Sequence, residues 1–243
     1  NPKNNNQWQL TSQGWVGYIP LTTELSLSLV PKIELKNIFQ MLEYAYKLKC
    51  FKFLNGLEEC QSLVEFYERL ANVLAHRILD RGRRGLYRTY ISQTEHLPYV
   101  CGCMNIRETI SKPWDVKLQC QYEDHTSDIE ENQILAWTLS TIARSGMCTD
   151  HSLPTVRRAY RGLQGFVTLK QFNPQSCVRR LYNRLNDDYQ PMHALCRFFL
   201  EHSGPSHEIG DRNMLPFLVN MSLLYELFVA EWLKSNIPNS YQL

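Results

Sequence analysis

The hydrophobic positions of this chain change period several times, and each change marks a predicted element. Residues 8–30 read as β. Trp15, Val16, Tyr18 and Ile19 are strand formers set around Gly14 and Gly17. Leu25, Leu27 and Leu29 then alternate with Ser26 and Ser28, the period of two that a half-buried strand requires. Thr22, Thr23 and Glu24 supply the turn, and Pro31 ends the second strand. The period then lengthens. Leu35, Ile38, Phe39, Leu42, Ala45, Tyr46 and Lys49 predict an amphipathic helix over 34–49. Beyond Gly56, a helix over 57–81 carries Leu63, Phe66, Tyr67, Leu70, Val73, Leu74 and Ile78 at three- and four-residue steps.

From Leu86 to Gln121 the pattern returns to β. Tyr87, Thr89 and Ile91 alternate with Arg88, Tyr90 and Ser92, and Tyr99–Cys101 and Val116–Cys120 read as further strands. Thr126, Ser127 and Asp128 offer a helix cap, with Glu130 and Glu131 in the first turn of a helix that ends at Gly146. The remainder reads as helices over 154–164, 174–185, 191–202 and 216–235, with Pro191 at a helix start. The last of these is apolar on most sides and is expected to be buried all round, by the upstream chain or by cover beyond Leu243. The fold class expected is α+β: a small N-terminal β region with helices, a middle β segment and a mainly helical C-terminal half. The expected segments are 1–55, 56–150 and 151–243.

Composition narrows the class. The chain has 243 residues, of which 44% are hydrophobic and 21% charged, and this is globular. No apolar run reaches the about 18 residues of a membrane helix, so no membrane association is expected. No basic segment followed by an apolar one opens the chain, so a cytoplasmic protein is expected. Its start, Asn1-Pro2-Lys3, reads as a lead-in or a cut. The eight cysteines are then expected to be mostly reduced thiols.

Charge is segregated. Residues 69–107 carry a net +5 and residues 151–184 a net +7, while 108–150 carry −5 and 185–243 carry −4. Segregation of this kind suits a polyanion or an acidic partner face; the alternative is that the blocks neutralise each other within one fold. In the second basic block, Arg157, Arg158, Arg161, Lys170, Arg179, Arg180 and Arg184 lie among Tyr160, Phe166, Phe172 and Tyr182. Cations interleaved with aromatics suit a DNA backbone. Arg81, Arg83, Arg84 and Arg88 form the first block, at and beyond the end of the second helix. A cationic last turn satisfies the helix dipole at Arg81 but leaves Arg83, Arg84 and Arg88, which follow Gly82, without that explanation.

Self-contained chemistry is sparse. There is no phosphate loop, dinucleotide fingerprint or nucleophile elbow. Cys101-Gly102-Cys103 has the wrong spacing for a zinc knuckle. His193, Cys196, His202 and His207 are better spaced for zinc; the alternative is a buried thiol beside surface histidines. Asp115-Val116-Lys117 spells the D-x-K half of a nuclease site, but a two-metal site needs several convergent carboxylates.

Several stretches, in order, resemble the McrC family, the nuclease subunits of McrBC modified-cytosine restriction systems. They are Gly14-Trp15-Val16-Gly17-Tyr18-Ile19, Leu27–Ile33, Phe39–Ala45, Gly85-Leu86-Tyr87-Arg88-Thr89-Tyr90, the C-x-Y-x-E…D…N run from Cys120 to Asn132, and the helix from Phe217 to Trp232. The resemblance implies a subunit that docks on a hexameric McrB-like AAA+ GTPase, stimulates it, and carries a PD-(D/E)xK nuclease at its C-terminal end. On that pattern Glu226 matches the helix glutamate of the nuclease, and a solvated Glu on a packing helix is the alternative. The Pro-Asp and D/E-x-K strands do not follow, so no cofactor is expected in this chain; Mg²⁺ is expected only with a complete nuclease domain. Asn220 stands where the family helix has Asp, and Cys101–Asn105 where it has an Arg-Gly-Arg run. The first basic block is assigned to the motor and the second to DNA. The other reading is a non-catalytic scaffold or remnant.

Overall fold

The computed structural model describes residues 11–21, 25–46, 60, 62–111, 114, 116–203 and 216–237, and by backbone alone 2–3, 7–8, 207–209 and 212–214. The turn expected at Thr22–Glu24, the end of the first helix beyond Tyr46, Gly56 and Asp115 lie outside the described residues. The fold is α+β, as the periodicities imply.

Strands β1 (Pro2–Lys3) and β2 (Gln7–Trp8) pair antiparallel. Strand β3 (Trp15–Pro20) pairs with β4 (Ser26–Leu29), in which Leu27 and Leu29 face inward as their alternation with serine predicts. Helix α1 (Leu35–Ala45) buries Ile38, Phe39, Leu42 and Ala45. Helix α2 (Leu63–Arg84) is fixed at its start by Ser62, whose hydroxyl accepts from the Glu65 amide at 3.1 Å. It ends three residues later than the apolar stripe suggests, running through Gly82 and stopping at Gly85, whose φ of +96° no helix accommodates. Arg83 and Arg84 therefore belong to its last turn, where the helix dipole favours them as it does Arg81.

Strand β5 (Thr89–Leu97) is followed by β6 (Cys103–Met104), the short helix α3 (Ile106–Ser111) and β7 (Leu118–Thr126). Helices α4 (Glu130–Arg144), α5 (Leu153–Gln164) and α6 (Tyr189–His202) come next. After them lie β8 (His207–Ile209), β9 (Arg212–Met214), β10 (Phe217–Asn220) and α7 (Met221–Asn236). Strand β10 returns to pair with β3, so the middle strand of the β10–β3–β4 sheet joins chain regions about two hundred residues apart. Gly17 sits where this pairing is closest: a Cβ there would run into the Phe217 carbonyl.

One core takes side chains from α1, α2, α4, α5, α6 and β10. Aromatic contacts dominate its centre. Phe39 stacks on Phe66 at 4.4 Å, and Tyr67 meets Phe199 and Phe217 edge-on at 4.9 Å each. Such pairs contribute about 0.5–1.5 kcal/mol beyond the area they bury.

Several sequence expectations give way. Tyr99–Cys101 is not a strand but part of the turn after β5, where Gly102 (φ +64°) packs so close to Gln121 that a side chain would clash. The helix expected over 174–185 is a single 3₁₀ turn, Pro174–Cys177. Beyond it Val178 is extended, Arg179 takes φ +59° and the Asn186 side chain accepts from the Asn183 amide at 2.6 Å, so local side-chain bonds replace the helical ones. Residues 217–220 are strand rather than helix, because Phe217 and Val219 alternate into the core inside an otherwise unbroken apolar run. Thr126 closes β7, and the cap position of α4 is Ile129 with no side-chain cap; Asp128 turns elsewhere. Helix α7 is also not buried all round. It packs on α1 and β10, buries only Leu224 and leaves Leu223, Tyr225, Trp232 and Leu233 exposed.

Candidate functional site

Two surfaces carry the residues that the sequence singles out. The first is an arm built from β5, β6, α3 and β7. Strands β5 and β7 pair over nine positions, from Thr89↔Thr126 to Leu97↔Leu118, so the ribbon is about 27 Å long at ~3.4 Å per residue. Its elements pack mainly on one another, and Cys120 is the only fully buried side chain among their described residues. Near the far end Tyr99, Val100, Ile106, Ile110, Trp114 and Val116 are all more than half exposed, Val116 to 85% and Trp114 to 78%. Apolar groups gathered on one exposed element mark an interaction surface.

The second surface is basic, and the two arginine blocks meet on it. Helices α2 and α5 pack side by side, and Arg83 of α2 and Arg158 of α5 line one cleft of about 260 Å³, floored by Ile78, Leu79, Ala159 and Leu163. Arg157, Arg158 and Arg161 are exposed on α5. Arg84 is exposed at the end of α2, and Arg88 stands at the root of the arm. None of these last five has an acidic partner among the described residues.

The other arginines and Lys170 are already engaged or stand apart. Arg81 is three-quarters or more buried, donates to the Leu185 carbonyl at 3.2 Å, pairs with Asp188 at 3.5 Å and lies 5.2 Å above the Tyr189 ring. With Arg77, Arg84, Asp80 and Met192 it lines a cavity of about 220 Å³. Arg83 pairs with Asp80 at 2.9 Å. Arg180 donates to Glu130 at 3.1 Å and to Glu131 at 2.9 Å. Lys170 lies close enough to Asp128 to act on its charge. Burial works against the Asp128 carboxylate, but bonds from Gln133 and Thr168, helped by Lys170, hold it below the usual range. Arg179 and Arg184 are exposed on the irregular stretch after the 3₁₀ turn, away from α5 in sequence.

Of the candidate metal ligands, His193 and His202 have other partners, Cys196 is a buried free thiol, and the His207 side chain lies outside the described residues. His193 holds the Glu131 carbonyl with Nε2 at 3.0 Å and faces the Tyr182 hydroxyl with Nδ1 at 2.8 Å. His202 holds the Leu218 carbonyl with Nδ1 at 3.0 Å, and its Nε2 lies 2.9 Å from the Tyr46 hydroxyl. Cys60, Cys101, Cys103, Cys120, Cys148, Cys177 and Cys196 are free thiols, and burial pushes Cys148 and Cys177 up to about 12, which makes them unreactive. Glu226 is exposed on α7. No group of three or more His, Cys, Asp or Glu side chains among the described residues could hold a metal ion. A Mg²⁺ site does not fit these residues, since one solvated carboxylate lacks the ligands that such an ion needs. No described helix is long and apolar enough to cross a membrane.

Two residues whose role sequence reasoning did not give sit at the root of the arm, and of these Asn132 enters only as the end of the family-like run. Asn132 and Tyr189, both fully buried, bind the backbone where the arm leaves the body and returns. No local signal marks either residue, since Asn132 stands beside Glu130, Glu131 and Gln133 in a first turn that is polar throughout.

An N-terminal β region, a helical body and an arm of paired strands define an α+β protein. Residues 10–243 match the family model of the McrBC 5-methylcytosine restriction system component. The chain belongs to that family. It is 27% identical over 217 residues to the Type IV methyl-directed restriction enzyme EcoKMcrBC of Escherichia coli K12, across 86% of this chain and 61% of that protein. It thus spans about three-fifths of that relative's length. Its fold is similar to a chain of the Thermococcus gammatolerans McrBC complex, with a TM-score of 0.60 and 19% identity over 94% of this chain and 68% of the other. It is also similar to a chain of a half-complex of McrB AAA+ hexamers with bound McrC from that organism, with a TM-score of 0.55 and 19% identity over 93% of this chain and 54% of the other.

Proposed function

We propose that this chain is the docking part of an McrC-like subunit: it binds a cytoplasmic McrB-like AAA+ GTPase hexamer, stimulates GTP hydrolysis and tethers a nuclease domain to DNA. The observation that carries this reading is the arm. A ribbon with an exposed apolar end and little packing on its own body has the form of an element that fits into a partner. Arg84 and Arg88, near its root, are cations without acidic partners among the described residues. An arginine supplied in trans stabilises the charge that develops in phosphoryl transfer. On the same basic surface the α5 arginines Arg157, Arg158 and Arg161 form an exposed cationic row suited to phosphates.

The test is GTP hydrolysis by the cognate McrB-like motor with and without this chain. Faster hydrolysis is expected, together with loss of the effect when Ile110 and Trp114 are both replaced by serine. A folded chain that leaves the rate unchanged overturns the reading. The isolated position of Glu226 favours one further statement: the described residues contribute docking, not cleavage. Metal-dependent cutting of DNA by the purified chain would refute it.

A further inference from the structure

The arm meets the body at one place. Its first strand leaves just after Tyr87 and its last returns just before Ser127. Both crossings are held by one side chain. The Asn132 amide donates one hydrogen to the Tyr87 carbonyl at 2.9 Å and the other to the Ser127 carbonyl at 2.7 Å. Its oxygen accepts from the Tyr189 hydroxyl at 2.7 Å, and that hydroxyl accepts in turn from the Tyr87 amide at 3.0 Å. Both polar groups of the Tyr87 backbone are therefore bound by the pair. Asn132 and Tyr189 are each 0% exposed, so these bonds do not compete with water.

The pair is itself anchored. Tyr189 lies against Tyr87 at 6.2 Å between ring centroids and beneath the Arg81 guanidinium, which Asp188 and the Leu185 carbonyl hold in place. On the return side, Asp128 accepts from Gln133 at 2.8 Å and from the Thr168 amide at 2.7 Å, tying the segment after β7 to the chain beyond α5. Within the described part of the arm there is no comparable brace against the body, because β5, β6, β7 and α3 pack mainly on one another. The direction of the ribbon is set at its root.

We propose that Asn132 and Tyr189 are a positioning pair that fixes the angle at which the arm is presented to its partner. The proposal rests on the reading that the arm is the docking element. A ribbon held in its bound direction loses little freedom on docking, and one released at the root must be ordered each time. Releasing the clamp weakens docking and leaves the docked state unaltered.

Two measurements on the full chain test it. Tyr189→Phe removes the hydroxyl and keeps the ring; Asn132→Ala removes the whole clamp. In the free chain, hydrogen exchange at the Tyr87 amide is expected to quicken at least tenfold in Tyr189→Phe, with the β5–β7 ladder amides unchanged. Unchanged exchange at Tyr87 overturns the clamp. Titrated against the McrB-like motor, Tyr189→Phe is expected to raise the half-saturating concentration at least fivefold at an unaltered maximal GTPase rate. Asn132→Ala is expected to do the same, and the double variant to be no worse than Asn132→Ala. An unchanged half-saturating concentration, or a lowered plateau alone, overturns the positioning role. If the unaltered chain does not stimulate the motor, the docking reading falls and the exchange measurement alone decides whether the pair is a clamp.

Discussion

Arg180 Nη2 lies 2.9 Å from Glu131 Oε1, which joins the most basic stretch of the chain to the start of an acidic helix. Nη2 also reaches Glu130, at 3.1 Å, and the arginine side chain is only 14% exposed. Charge segregation in this protein is therefore partly internal, with some cations of the second basic block spent on holding the fold. Arg180→Ala leaves the half-buried Glu131 without its main partner. It is expected to cost roughly 1–3 kcal/mol, as loss of hydrogen bonds to a charged group does. Urea denaturation checks this; a loss under about 0.5 kcal/mol would show the pair to be as weak as an ordinary surface pair.

The arginines on α5 should behave in the opposite way. Arg157, Arg158 and Arg161 are exposed and have no acidic partner among the described residues, so replacing all three by alanine should leave the melt nearly unchanged. Affinity for duplex DNA at low salt should fall, and the slope of log affinity against log salt should flatten by about 0.9 for each phosphate left without its arginine. Filter binding across a salt series measures both. An unaltered slope would remove α5 from any DNA-facing role.

These two outcomes mark what the sequence discloses. Net charge by block and helical period are written in composition and spacing, and α1, α4, α5 and α6 follow from them to within a few residues, while α2 begins six residues later than expected. What Arg180 does was not legible, because its partners lie about fifty residues upstream and nothing local names them. The same holds for Phe217–Asn220. In sequence it is the start of an apolar helix; it becomes a strand because β3 offers it an edge, and Asn220 then caps α7 by accepting from the Ser222 and Leu223 amides at 3.0 and 3.2 Å. The arm was legible only as β character, since neither its projection from the body nor its root is a local property.

Gly17 lies at that β3–β10 seam. Its Cβ position is filled by the Phe217 carbonyl, and its φ of +148° is one that side-chain-bearing residues rarely adopt. Gly17→Ala is expected to push the strands apart and cost about 2–4 kcal/mol, from backbone strain and overpacking together. Thermal denaturation reads the loss. Gly82→Ala is the control: its Cβ would meet nothing within 4 Å, and alanine there should stabilise α2 by up to about 1 kcal/mol.

Acid should unfold the protein through two buried histidines. Burial lowers His193 and His202 from the ordinary 6.5 to about 4, outweighing the backbone carbonyls of Glu131 and Leu218 that favour their charged forms. Above pH 6.5 both rings are neutral in the folded and unfolded chain alike, and their contribution is complete. Between 6.5 and about 4 the unfolded chain takes up protons that the folded chain refuses, so stability falls as pH falls. Each histidine contributes a slope of up to about 1.4 kcal/mol per pH unit in that window. Denaturation at pH 7, 6 and 5 should show the decline. His193→Gln, whose amide can still donate toward Glu131, should lower stability at pH 7 but roughly halve the slope. A slope that the substitution leaves intact would place the acid sensitivity in groups other than His193.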